Sequence, residues 1–175
     1  MNNALDRNLC KQFPLLFADR QAGMQHTALC WGFECGGGWA QLIKEAAEKL
    51  EPLIAEYIRN YPERRNSFPR FLGDSWYGIR WSVGHPLVAI DVLIRWAKVE
   101  LGFCSPPPYW PRVSQIKEKY GTLRFYLTSG TDKMYKIVEL AERKSARTCE
   151  ACGKPGKLRG RGWVYTACKK HIKGD

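Results

Sequence analysis

The sequence predicts an α+β protein in which helices pack on a small antiparallel β-hairpin, with a zinc-ribbon-like module at the C-terminal end. Three observations carry this reading. Apolar residues recur at spacings of three and four from Trp39 to Ile58 and again from Met134 to Ala141, the pattern of helices that bury one stripe. Leu123, Phe125 and Leu127 alternate, as in a half-buried strand. Cys149-x2-Cys152 and Cys168-x2-His171 stand at metal-ligand spacing within one short polar segment.

The first helix follows Gly36-Gly37-Gly38 directly and carries Trp39, Leu42, Ile43, Ala46, Leu50, Leu53, Ile54, Tyr57 and Ile58 on one face. Pro52 falls inside it, where a missing N–H and a clash with the preceding turn predict a kink or a restart, and Tyr61-Pro62 closes it. From Glu63 to Trp81 the chain, rich in arginine, aromatics, glycine and proline, reads as a long surface connection, and Pro86 then opens a second helix with Leu87, Ile90, Ile94, Ala97 and Leu101 on one face, ended by Gly102. Ser105-Pro106-Pro107-Pro108 is a stiff spacer before the hairpin. The hairpin runs from Val113 to Lys119 and from Thr122 to Leu127, turning at Tyr120-Gly121. Ser129-Gly130-Thr131-Asp132 then caps a third helix. These elements make a body over 1–147 and a basic zinc module over 148–175.

With 45% hydrophobic residues in 175, the chain can bury a core and is no disordered protein. The first residues lack the plan of a signal peptide and no apolar run approaches a membrane span of about 18 residues, which predicts a soluble, cytoplasmic protein with no membrane partner. Seven cysteines, an odd number with three at ligand spacing, predict reduced thiols rather than a disulfide framework. The net charge of +11 is uneven: residues 141–175 carry ten Lys/Arg against three Asp/Glu, a balance of +7, and the rest only +4. Such a tail attracts polyanions, nucleic acid or an acidic protein face.

Cys149, Cys152, Cys168 and His171 are expected to hold one structural zinc ion. Paired ligands two residues apart let the amides of a tight knuckle turn toward the sulfurs, and Gly153 supplies the backbone freedom. Four good ligands leave no open position, which favours a structural over a catalytic ion. Two short strands, Lys157–Arg159 and Trp163–Thr166, return the chain to the second pair. Lys154, Lys157, Arg159, Arg161, Lys169 and Lys170 surround this centre, and with Arg80 and Trp81 they are candidates for meeting nucleic acid or a partner. The aromatic and basic stretch Arg70-Phe71, Trp76-Tyr77, Tyr109-Trp110 and Arg112 extends that possibility. Cys30 and Cys35, with His26, are candidates for a second metal site or a redox pair, but their spacing is poor for a zinc knuckle and they read as core packing. Glu34, Cys35, Gly36, Gly37, Gly38 and Trp39 form a candidate loop whose amides receive an anion. His85, Asp91 and Glu118 are acid–base candidates by residue type alone.

Three blocks, Cys30-Trp31-Gly32-Phe33-Glu34-Cys35-Gly36-Gly37-Gly38-Trp39, Gln115 to Tyr126 with its Gly121-Thr122-Leu123-Arg124-Phe125, and Cys149-Glu150-Ala151-Cys152-Gly153-Lys154-Pro155-Gly156-Lys157-Leu158-Arg159, together resemble a family of small phage and prophage proteins of unassigned function with a C-terminal zinc motif. Gly37 departs from the acidic residue expected in the glycine run. The resemblance implies zinc, a bacterial host cell and an insertion over residues 61–111 relative to the short family members, and no reaction. The leading expectation is a phage-type accessory protein that docks on a host nucleic-acid machine or defence component. The alternatives are a binder of a small anionic nucleotide, or a metal-dependent nuclease or nucleotide hydrolase using Glu34, Asp91 or Glu118.

Overall fold

The computed structural model describes residues 1–24, 27–60, 110–160 and 162–172. Contacts divide the chain into two compact units, Met1–Tyr57 with Trp110–Asp175, and Ile58–Tyr109. The second unit contributes only Ile58–Asn60 to the described residues, so the expected helix from Pro86, together with Arg80, Trp81, His85 and Asp91, lies outside them. The first unit holds both the body and the C-terminal ribbon.

The unit is α+β. Helix α1, Asn3–Gln12, starts where the Asn2 side chain accepts the Ala4 amide at 2.8 Å, and it buries only Asp6 and Leu9. Three 3₁₀ turns follow, Ala18–Gln21, Ala28–Trp31 and Gly37–Trp39. Helix α2, Ala40–Asn60, buries Leu42, Ile43, Ala46, Ala47, Leu50 and Ile54, the stripe the sequence shows. Of the expected kink or restart at Pro52 there is no restart: the helix is one element through the proline. Pro52 is exposed, and so is Glu48, whose carbonyl the proline leaves without a donor, so water can take that place.

Strands β1, Val113–Lys119, and β2, Thr122–Leu127, form the expected hairpin, with Ile116 opposite Phe125 and Lys119 opposite Thr122. A register shift between Val113 and Gln115 turns Val113 inward along with Ile116, Leu123 and Phe125. Helix α3, Asp132–Ser145, lies along the outer edge of β2. There the Ser145 hydroxyl accepts the Leu123 amide at 2.8 Å and the Glu142 carboxylate accepts the Phe125 amide at 2.9 Å. Those bonds satisfy amides that an open strand edge would offer to another chain. The Thr131 position begins α3, but its side chain makes no capping bond. On the other side of the hairpin, Glu34 bridges to Lys117: its amide donates to the Ile116 carbonyl and its carbonyl accepts from the Glu118 amide, both at 2.9 Å.

The ribbon is a second hairpin, β3, Lys157–Arg159, paired with β4, Tyr165–Ala167. β4 begins two residues later than the sequence suggests, because Gly160, at φ +92°, turns the chain so tightly that a Cβ there would strike the Trp163 carbonyl. Two buried or half-buried ion pairs fasten the N-terminal third: Arg20 with Asp6 and Arg112 with Asp19, each at 2.6 Å. The Glu51 carboxylate of α2 accepts the Leu15 and Leu16 amides, both at 2.9 Å. Among the described residues, no helix is long and apolar enough to cross a membrane.

Candidate metal centre

The C-terminal segment brings four donors together. Cys149 and Cys152 sit on a knuckle whose turn is closed by the Gly153 amide donating to the Cys149 carbonyl at 2.8 Å, with Gly153 at φ +74°. Cys168 precedes and His171 ends a 3₁₀ turn, Lys169–His171, closed by the His171 amide on the Cys168 carbonyl at 3.1 Å. That tight turn brings a histidine three residues on back beside the cysteine. The β3–β4 hairpin returns the second pair to the first. The ligand atoms of all four lie within 4.8 Å of one another. Cys152 Sγ is 3.7 Å from Cys168 Sγ, and His171 Nδ1 is 3.5 Å from Cys149 Sγ and 3.3 Å from Cys168 Sγ. Such a group could hold a metal ion, and among the described residues it is the one cluster of His, Cys, Asp or Glu able to do so.

The protein prepares these donors electrostatically. Burial opposes a charge on Cys149, yet backbone hydrogen bonds from Cys168, Cys152 and Ala151 outweigh it and bring the thiol down to about 6. Cys168 is lowered too, against burial, by the Lys170 amide and His171. Cys152 is raised: the Lys154 amide favours its thiolate, but burial and the sulfurs of Cys149 and Cys168 prevail. His171 is raised by its hydrogen bonds to the sulfurs of Cys168 and then Cys149.

Without metal, the depressed Cys149 contributes stability that is full above its ordinary value of 9.0 and is lost progressively as pH falls from there through about 6. Raised His171 contributes below its ordinary pKa and loses that contribution as pH rises through its elevated one. A metal needs all the thiols and the imidazole deprotonated. Its affinity is therefore expected to rise with pH through neutrality, because binding must displace protons that the raised Cys152 and His171 hold, and to fall more steeply below about 6, where Cys149 takes one too. Competition against a chromophoric chelator between about pH 5 and 8 checks this; a flat profile would contradict it.

No family model, curated protein or solved structure matches the chain. What the centre does therefore rests on its own surroundings.

The other two sequence blocks pack against it. Gly36 donates its amide to a Glu150 carboxylate oxygen at 2.8 Å, and Gly38 donates to the Glu150 carbonyl at 2.7 Å. A Cβ on Gly38 would collide with the Cys149 carbonyl and the Gly153 nitrogen and come within 2.6 Å of the Cys152 nitrogen. The Trp39 indole, fully buried, donates to the Thr148 carbonyl at 2.7 Å. On the far side, Gly121 of the β1–β2 turn lies against the Tyr165 backbone, 3.1 Å from where its Cβ would stand, and the Thr166 hydroxyl donates to the Gly121 carbonyl. The knuckle and β4 are thus gripped by the glycine run and the hairpin tip.

This placement reassigns several sequence candidates. In the glycine run, the amides of Gly36 and Gly38 are engaged by Glu150, whose carboxylate stands where an incoming anion would sit. Cys35 is buried, and burial pushes its thiol up to about 12, in keeping with core packing; His26 lies outside the described residues. Glu118 accepts the Gly121 amide at 2.6 Å, and Glu34 accepts from the Gln115 side chain at 2.9 Å. Trp110 donates to the Leu15 carbonyl, so it and Arg112 fasten the body. Lys154, Lys157, Lys169 and Lys170 are exposed on the ribbon. Arg159 is half-buried and donates to the Ala167 carbonyl at 3.1 Å, and Arg161 lies outside the described residues. Glu150 and Thr166, which join the ribbon to the body, carry no signature in the sequence beyond the glycines they face.

Proposed function

We propose that this is a zinc-stapled binding protein whose basic ribbon takes nucleic acid. Zinc is supported by the spacing of the donors. A tetrahedron with Zn–S of ~2.3 Å and Zn–N of ~2.05 Å has S···S edges of ~3.8 Å and S···N edges of ~3.5 Å; three of the six edges here are 3.7, 3.5 and 3.3 Å, and all six lie within 4.8 Å. Cys3His is a closed donor set, which favours a structural ion over one that activates water.

The observation that carries the binding function is the way this centre is held. It is clamped between the glycine run and the hairpin tip, so Lys154, Lys157, Lys169 and Lys170 are displayed on a fixed surface rather than on a loose tail. The carboxylates considered for a hydrolase, Glu34 and Glu118, are bonded within the fold, which favours binding over catalysis. The resemblance to phage and prophage proteins suggests the setting: an accessory factor acting on a host nucleic-acid machine or defence component.

Fluorescence anisotropy with labelled oligonucleotides tests the reading. If each of the four lysines meets a phosphate, log affinity should fall against log salt with a slope of about −3 to −4. Replacing all four by alanine should flatten that slope. Absence of binding even at about 50 mM salt would end the proposal.

A further inference from the structure

We propose that the ligand of the ribbon surface is a single strand, whose unpaired bases stack on Trp163 and Tyr120. This inference rests on the nucleic-acid reading above and names its substrate class.

Trp163 sits in the turn between β3 and β4 and is 77% exposed, whereas Trp39 is fully buried. The Gly160 turn against the Trp163 carbonyl fixes the backbone that carries it. Tyr120 is 71% exposed and has φ +53°, a left-handed conformation that the first position of a tight hairpin turn normally gives to asparagine or glycine. It is held there because Gly121, its neighbour, bonds Glu118 on one side and Thr166 on the other. A large ring thus stands in solvent at a position where a small polar residue would fit the backbone better.

The docking of the hairpin tip on β4 brings the backbones that carry these two residues near one another. Gly121 touches Tyr165, and Trp163 precedes Tyr165 by two residues, so the Cα atoms of Tyr120 and Trp163 are at most about 16 Å apart. The Lys119 ammonium lies 5.3 Å from the Tyr120 ring centroid, and Lys117 lies 5.6 Å from that of Tyr126, which is 40% exposed on the outward face of the same hairpin. Rings interleaved with cations match a strand whose bases alternate with phosphates. In a duplex the base faces are already stacked on one another, so exposed rings discriminate in favour of unpaired bases.

The test uses the metal-loaded full chain and three probes: a mixed-sequence single-stranded oligonucleotide, the same sequence as a duplex, and inorganic polyphosphate, which has charge but no bases. The wild type should prefer the single strand to the duplex. Trp163→Ala should weaken single-strand binding about 5- to 150-fold, Trp163→Phe should recover most of it, and Tyr120→Ala should weaken it in the same direction. Polyphosphate binding and metal content should stay unchanged in all three. If the alanine variants bound the single strand as the wild type does, while polyphosphate still bound, stacking would be overturned and the basic-surface reading would stand. If the wild type bound none of the three probes, both would fall.

Discussion

Cys149→Ser, or removal of the ion by a strong chelator at neutral pH, should open the ribbon to protease and loosen the body as well. Cys149 is the buried member of the ligand set and receives several backbone hydrogen bonds on its sulfur. The ribbon has little apolar core of its own: Leu158, Trp163 and Ile172 are exposed, and Ala167 and Thr166 are its buried side chains beside Cys149. Ligation in small zinc modules supplies on the order of 10–16 kcal/mol of apparent binding energy. That is as large as the whole net stability of a typical domain, about 5–15 kcal/mol, so nothing else in the ribbon can replace it. The expected result is a fall from about one equivalent of metal to none, rapid cleavage after Thr148, and a lower thermal midpoint for the remainder. Cys10→Ser, at a cysteine on α1 that is bonded to Asp6 and is no ligand, should keep its metal. Full metal content in the Cys149 variant would overturn the ligand assignment.

The second large effect separates three adjacent glycines. Gly38→Ala drives a Cβ into the Cys149, Cys152 and Gly153 backbone, and Gly36→Ala drives one into the Glu150 carbonyl and to within 2.6 Å of its Cγ. At Gly38 the obstacles are all main-chain atoms of the knuckle, which cannot rotate aside. Each substitution is expected to cost about 3 kcal/mol, the upper part of the usual range for overpacking. Gly37→Ala meets only the Leu5 side chain at 3.6 Å, an ordinary contact. It should be neutral or stabilising by up to about 1 kcal/mol, since alanine restricts the unfolded chain. Urea unfolding followed by tryptophan fluorescence reads all three. Equal effects at the three positions would show that the glycines serve backbone conformation and not close approach to the knuckle.

Much of this architecture is legible in the sequence because it rests on local periodicity. The stripe of α2, the alternation in β2 and the ligand spacing each report burial or coordination within a few residues of chain. Helix α1 escapes such a reading because it buries just Asp6 and Leu9 and shows no apolar stripe. The continuous course of α2 through Pro52 depends on which face the proline occupies, which the pattern alone did not decide. The glycine run has two meanings that its sequence does not separate. A glycine that admits an anion and one that admits another backbone both lack a side chain, and only the position of Glu150, more than a hundred residues away, distinguishes them. The same holds for Gly121, which serves the hairpin turn and also clears the approach of Tyr165.

These contacts make the metal centre a joint between distant segments rather than the anchor of an independent appendage. Hydrogen–deuterium exchange of the protein before and after chelation tests that most directly, read at 34–39 and 118–123 as well as in the ribbon. With the ion gone, the Gly36 and Gly38 amides lose the Glu150 oxygens they donate to, and the hairpin tip loses Thr166. Protection should fall in all three segments together. If the ribbon alone lost protection while the glycine run and the hairpin tip exchanged as before, the centre would be stabilising only itself, and the joint would not exist.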